Sequence, residues 1–238
     1  MSRPAPRARE RTPDTERRTM SRVDLQSIYR ELLDWCGPRH WWPAEHGFEV
    51  VVGAVLTQNT AWGNVEKALD RLRDRDLLDP AAMLAESHEG LAEAIRPAGY
   101  YNLKAKRLRN LVSTLHADGG LSAWDGMATP RLRERLLAVN GVGEETADSI
   151  LLYVFRRPVF VIDAYTRRVF GRLGLVRGDE PYRALADMFE SELGPDEALY
   201  NEYHALIVAL GNRVCRPKPF CGRCPLAHCC DWIRNASS

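Results

Sequence analysis

The chain has 238 residues, of which 45% are hydrophobic and 27% charged, and a formal net charge of +1. That length accommodates one large domain or two small intertwined ones, and that balance is the composition of an ordinary globule. Near-neutrality excludes attraction of nucleic acid by the molecule as a whole, so any DNA affinity must come from local clusters and backbone amides. No stretch approaches the roughly 18 uninterrupted apolar residues that a membrane helix needs.

In chain order, residues 1–22 are rich in arginine and proline and have no apolar core of the kind a secretion signal carries. They are expected to form a disordered basic arm, within which Met20 opens a second Met-Ser-Arg triplet. Apolar residues then recur at helical spacing in Leu25-Ile28-Leu32-Leu33, Val51-Val55, Val65-Leu69-Leu72 and Leu108-Leu111-Leu115. Further helical patterns occupy 130–138, 145–155, 163–174, 181–193 and 198–213, with turn signals such as Gly37-Pro38, Asp79-Pro80 and Gly194-Pro195 between elements. The run Pro158-Val159-Phe160-Val161-Ile162 is β-branched enough for a strand but has no evident pairing partner. A buried extended linker between two helices is predicted there, in an all-α protein without internal repeats.

Residues 131–154, RLRERLLAVNGVGEETADSILLYV, predict a helix ending near Val139, a tight turn at Gly141-Val142-Gly143 and a second helix opening on Glu144 and Glu145. Glycines on both sides of the turn permit positive φ and close backbone approach. The free amides of the second helix's first turn then face outward, ready for a phosphate oxygen. Such a helix-hairpin-helix fixes register on the DNA backbone without reading sequence. A plain helical hairpin is the alternative, and the two acidic residues leave any anion affinity to the amides.

VNGVGEETADSILLY, followed by VIDAYTRRVFGRLGL, resembles the helix-hairpin-helix DNA glycosylases of the endonuclease III superfamily, and the resemblance runs from about Ser21 to Cys230. It implies a two-lobed, all-α glycosylase fold. Residues 45–155 would form a six-helix barrel lobe containing the hairpin of 131–154, and residues 23–44 with 156–238 a second lobe carrying a cluster loop at 215–230. It also implies a catalytic carboxylate at Asp163, shortly after the hairpin and at the head of the next helix. Breaking an N-glycosidic bond develops positive charge on the deoxyribose, which a carboxylate beside C1′ stabilises while it activates water. A purely structural N-cap for the helix running into Arg167-Arg168 is the alternative for Asp163. Members that also cut the backbone carry a lysine in the second hairpin helix, whose amine attacks C1′. Glu145 occupies that position, which implies a monofunctional enzyme with weak or absent lyase activity.

His40-Trp41-Trp42-Pro43, the run Leu56-Thr57-Gln58-Asn59-Thr60-Ala61-Trp62 and Gly99-Tyr100-Tyr101-Asn102-Leu103-Lys104 resemble, more narrowly, the endonuclease III-related glycosylases that remove 3-methyladenine. The implied base pocket is lined by Trp41, Trp42, Pro43 and Trp62, and the implied residue entering the gap left by the extruded nucleotide is Gln58. An extruded base needs such a pocket, and electron-rich faces suit a cationic alkylated purine. Inter-lobe packing is the alternative for the tryptophans, and a buried structural amide for Gln58. Lys104 and Arg107 join Gly141 and Gly143 as candidates for backbone contacts to DNA; a solvated helix face is their alternative.

Of six cysteines, Cys36 stands alone and five fall between Cys215 and Cys230. Without a secretion signal, clustered cysteines point to metal rather than disulfides. Cys215, Cys221, Cys224 and Cys230, at spacings x5, x2 and x5, can close on one centre, with Cys229 as the alternative fourth ligand. The superfamily loop is C-x6-C-x2-C-x5-C, so the resemblance implies a [4Fe-4S] cluster with one residue deleted, and zinc is the generic competitor. The expected partner is double-stranded DNA containing a damaged base, met by a cytoplasmic, nucleoid-associated monomer without membrane contact. Competing functions are a glycosylase/lyase for oxidised pyrimidines and a non-catalytic DNA-damage-binding module.

Overall fold

A computed structural model describes residues 24–44 and 46–236; the expected basic arm at 1–22 lies outside the described residues. Among them are thirteen α-helices and no strand. In chain order these are α1 (Leu25–Cys36), α2 (Gly47–Leu56), α3 (Trp62–Arg73), α4 (Pro80–Ala85), α5 (His88–Ala94), α6 (Tyr101–Ala117) and α7 (Leu121–Asp125). The hairpin pair α8 (Thr129–Leu137) and α9 (Glu144–Tyr153) follows, then α10 (Ala164–Leu173), α11 (Tyr182–Leu193), α12 (Glu197–Arg213) and α13 (Asp231–Ala236). None is long and apolar enough to cross a membrane.

Local chemistry sets many of the boundaries. Side chains of Asp24, Asp79, Ser87, Asp163 and Asp196 accept amide hydrogen bonds at helix starts, satisfying donors that the helix itself cannot. Gly174, in the left-handed region at φ 80°, stops α10.

Two apolar cores result. One extends from Phe48 to Val159 and is centred on α2, which is buried from Phe48 through Leu56. The other joins α1 to α10, α11 and α12 around Ile28, Phe160, Phe170, Phe189 and Tyr203. Each fully buried Leu, Ile, Val or Phe contributes roughly 1.5–3 kcal/mol relative to exposure, so the cores dominate stability. The segment after α9 passes between them: Val159 belongs to the first core and Phe160 to the second. It is extended without pairing, as the sequence predicts. Side chains replace the ladder: the Phe160 amide donates to Glu190 at 2.9 Å and the Ile162 amide to the Tyr182 hydroxyl at 3.2 Å.

At the hairpin only Gly141 uses the left-handed region, with φ 100°. A Cβ there would also lie 2.3 Å from Cγ of Arg107, so both conformation and space demand glycine. Gly143 corrects the expectation of two such glycines. Its φ of −97° is ordinary extended backbone, and a side chain there would meet nothing within 4 Å. The second glycine therefore leaves the head of α9 bare rather than enabling the turn.

Candidate active site

Asp163 closes the linker and caps α10. Its Oδ1 accepts from the Thr166 amide at 2.7 Å and the Thr166 hydroxyl at 2.9 Å, so capping is a real part of its work. The side chain is only 7% exposed. Burial alone would raise its pKa, but His204 and the two Thr166 donors outweigh that and hold it below the usual aspartate value. Oδ2 faces His204 Nε2 across 3.5 Å, longer than an ordinary hydrogen bond. The result is an ionised buried carboxylate with one oxygen engaged locally and one directed elsewhere.

Glu145 lies in the first turn of α9, near Asp163. The side chain keeps contact with water, yet burial against the cleft floor and the Asp163 charge push it up to about 7, with the Arg167 charge opposing. Two carboxyls with pKa values driven apart are what acid–base chemistry near neutrality requires.

Two hollows meet at this pair. An open cleft of about 940 Å³ runs past Gln58, Arg107, the hairpin turn Gly141-Val142-Gly143, Arg168 and Arg216. A more enclosed cavity of about 300 Å³ is bounded by Trp41, Trp42, Trp62, Tyr153, His204 and Arg39. Thr57, Thr60, Glu145, Asp163, Tyr165 and Asn212 belong to both, so the carboxylates stand in the shared wall. No lysine lines either hollow.

The aromatic wall is built from distant segments. Trp41 meets Trp62 with centroids 4.5 Å apart, Trp42 meets Trp62 at 5.3 Å and Tyr153 at 5.4 Å, all edge-on. Gly53 in the middle of α2 makes this possible, because a Cβ there would lie 2.6 Å from the Trp42 ring. Glu202 of α12 holds the loop that carries the tryptophans, accepting from the Arg39 amide at 2.5 Å and the His40 amide at 3.2 Å. Within this wall Trp42 Nε1 is buried without a partner.

The structure sorts the remaining candidates. Pro43, expected among the pocket residues, is exposed and is not part of the cavity lining that holds the three tryptophans. Lys104 is also corrected. It is 1% exposed and its ammonium donates to the carbonyls of Leu56 (2.8 Å) and Ala98 (2.9 Å) and to the Thr60 hydroxyl (2.5 Å), so it is unavailable to phosphate. Burial and the neighbouring Arg107 charge lower its pKa to about 8. Arg107 does line the cleft, packed against Gly141 and donating to Gln58 Oε1 at 2.5 Å. Gln58 in turn donates to the Gly141 carbonyl at 3.1 Å and Thr146 Oγ1 at 3.0 Å, which makes it the strut between the α2–α3 turn and the hairpin. Tyr153 and His204 escaped the sequence analysis. Their only local signal is polar character within otherwise apolar helical runs.

The cysteine loop leans on α10. Arg168 Nε donates to the Cys215 carbonyl at 2.8 Å, and Arg172 Nη1 to the Arg216 carbonyl at 2.7 Å and to Cys215 Sγ at 3.4 Å. Burial pushes the Cys224 thiol up to about 11, and the proximity of Cys215, Cys230 and Cys221 adds to the rise. These four thiols are thus electrostatic neighbours, although among the described residues no three His, Cys, Asp or Glu side chains are gathered closely enough to hold a metal ion as they stand. Burial, then Glu31 and Cys230, also raise the Cys229 thiol, which donates to the Leu226 carbonyl at 3.3 Å as the Cys230 thiol does to that of Arg172.

Similarity to known proteins agrees with this geometry. The sequence model of the HhH-GPD superfamily of base excision DNA repair proteins matches residues 52–195. A Methanocaldococcus jannaschii protein named as a DNA repair glycosylase is 48% identical over 209 residues, covering 87% of this chain and 95% of its own. Endonuclease III of Sulfolobus acidocaldarius is 28% identical over 78% of this chain and 82% of its own. Among solved structures, an H. pylori 3-methyladenine DNA glycosylase bound to 1,N6-ethenoadenine superposes with a TM-score of 0.68 at 30% identity, over 80% of this chain and 98% of that one. An endonuclease III–DNA complex superposes at 0.76 with 24% identity, over 89% and 96% of the two chains, and so shares the fold.

Proposed function

This chain belongs to the HhH-GPD superfamily of base excision DNA repair proteins, and from that premise we propose that it is a monofunctional glycosylase for alkylated purines such as 3-methyladenine. The observation that carries the proposal is the aromatic cavity with an ionised carboxylate in its wall. Three tryptophans and Tyr153 enclose about 300 Å³ beside Asp163. A purine extruded from a duplex would lie against electron-rich faces that favour a positively charged ring. Its deoxyribose would stay at the shared wall, and the phosphates in the open cleft by the bare head of α9 and the cleft arginines.

In the proposed reaction Asp163 stabilises the charge that develops on the deoxyribose as the glycosidic bond lengthens, and accepts a proton from the attacking water. Glu145, poised near neutrality, exchanges protons within the same wall. The water, rather than an amine, is the nucleophile, because the hairpin position that would need a lysine holds Glu145. We assign Cys215, Cys221, Cys224 and Cys230 as ligands of a [4Fe-4S] cluster. When bound, it supplies rigid closure of the loop against α10 and takes no part in the bond cleavage.

A panel of duplexes with single lesions tests the proposal under single-turnover conditions. Release of 3-methyladenine with an abasic, uncut strand is expected, with no borohydride-trapped protein–DNA adduct. Preferential release of oxidised pyrimidines, or efficient trapping, would sink it.

A further inference from the structure

His204 stands behind Asp163 and is 8% exposed. It comes from α12, which packs against α9. Its Nδ1 lies 2.5 Å from the Tyr153 hydroxyl, which ends α9. Its Nε2 makes no hydrogen bond and faces Asp163 Oδ2 at 3.5 Å. Three helices thus bring a phenol, an imidazole and a carboxylate into line across one wall of the aromatic cavity.

The chemistry of the three groups gives the line a direction. The phenol is half-buried in the cavity wall, and burial, with the charges of Asp163 and Glu202, raises its pKa well above the ordinary value, so it keeps its proton. Asp163 is ionised and can only accept. If Nδ1 carried the ring proton, the Nε2 lone pair would face the carboxylate lone pairs in a buried site, leaving both uncompensated. With the phenol donating to Nδ1, the ring hydrogen sits on Nε2 and faces Oδ2. Because Oδ1 is held by the two Thr166 donors, Nε2–H fixes the remaining freedom of the carboxylate plane.

We propose that Tyr153 and His204 form a positioning relay in which Tyr153 sets the imidazole tautomer and His204 aims Oδ2 of Asp163 at the sugar. This rests on the assignment of Asp163 as the catalytic carboxylate. The gap of 3.5 Å has the length of a contact that tightens when substrate fills the site. Neither member of the relay reaches the reacting bond; both act through Asp163.

Two measurements on the full chain decide it. Long-range proton–nitrogen NMR is expected to show His204 protonated on Nε2 alone, with Nδ1 as a hydrogen-bond acceptor that changes shift in Tyr153→Phe. A ring protonated on Nδ1, or one indifferent to that substitution, overturns the relay whatever the enzyme excises. Single-turnover release of 3-methyladenine is compared with affinity for a duplex bearing a tetrahydrofuran abasic site. His204→Ala should slow release by on the order of 10- to 100-fold with affinity unchanged within about twofold. His204→Gln, which keeps a nitrogen donor in place of Nε2, should restore most of the rate. Tyr153→Phe combined with His204→Ala should be no slower than His204→Ala alone. Equal losses for Ala and Gln, or additive losses in the double variant, overturn the proposal. If the wild type releases no lesion, the glycosylase assignment fails while the NMR arm still decides the tautomer.

Discussion

The open cleft in front of the hairpin and the aromatic cavity behind it share a wall of carboxylates and differ in almost everything else. The cleft, of about 940 Å³, presents backbone at Gly141-Val142-Gly143 and guanidinium groups from several helices. The cavity, of about 300 Å³, presents ring faces and buried nitrogens. A surface built from amides and cations recognises what every duplex has in common, and its strength falls with salt. A cavity built from interlocked aromatics recognises one shape and one charge. On the proposed function, anchoring and selection are separable here, and Asp163 works where they meet.

The largest effect expected on either side is from Asp163→Asn. Asparagine caps a helix as well as aspartate does, so the fold should persist while lesion release falls by on the order of 10³-fold. Affinity for abasic duplex should stay within a few-fold, as measured by single-turnover assay beside titration. A matching collapse of affinity would break the separation. Next is Lys104→Met, which strands the Leu56 carbonyl, whereas the Ala98 carbonyl and Thr60 hydroxyl still bond each other at 2.6 Å. It should cost about 1–3 kcal/mol in denaturant unfolding yet leave the salt dependence of DNA binding unaltered, because the ammonium never faces the duplex.

Smaller effects sharpen the contrast. Trp62→Ala should reduce release of cationic 3-methyladenine about tenfold more than release of neutral hypoxanthine, measured in the same duplex. Equal losses would mean that the cavity selects shape alone. Arg216→Gln should lower the slope of log affinity against log salt by about one while leaving lesion preference intact. The smallest effect concerns Glu145. Its pKa is raised in the fold to about 7, so the native state holds an extra proton between about 4.5 and 7 and loses stability as pH rises through that window. Glu145→Gln should therefore gain stability at pH 8 and none at pH 4. Water access to the side chain reduces the gain to roughly 1 kcal/mol. Thermal melts at the two pH values measure it.

Much of the helical order is legible in the chain. The pattern at 181–193 becomes Tyr182–Leu193 and that at 198–213 becomes Glu197–Arg213, because apolar periodicity and capping act within a turn or two of chain. The unpaired linker was legible as well, although the reason it needs no partner strand, the donors' capture by Glu190 and Tyr182, was not. The site divides differently. Asp163 is marked by its place after the hairpin, and the tryptophans by their mass in two short segments. Lys104 looked like a phosphate contact because a cation after a glycine break usually meets water. Only packing of α6 against the end of α2 turns its ammonium onto the Leu56 carbonyl.

An all-helical chain, a hairpin with exposed amides, a capping aspartate after it and a cysteine-rich loop can all be read from local sequence, since each depends on neighbours a few residues apart. Tertiary structure alone decided which of these groups act together. Tyr153 and His204 are 51 positions apart, and Glu202 holds an amide 163 positions away. Such meetings are set by how two apolar cores pack around one linker, and no local pattern encodes that angle. The docking of the cores brings the phenol and imidazole up behind Asp163, and places that carboxylate in a wall open to the DNA-facing cleft on one side and the tryptophans on the other.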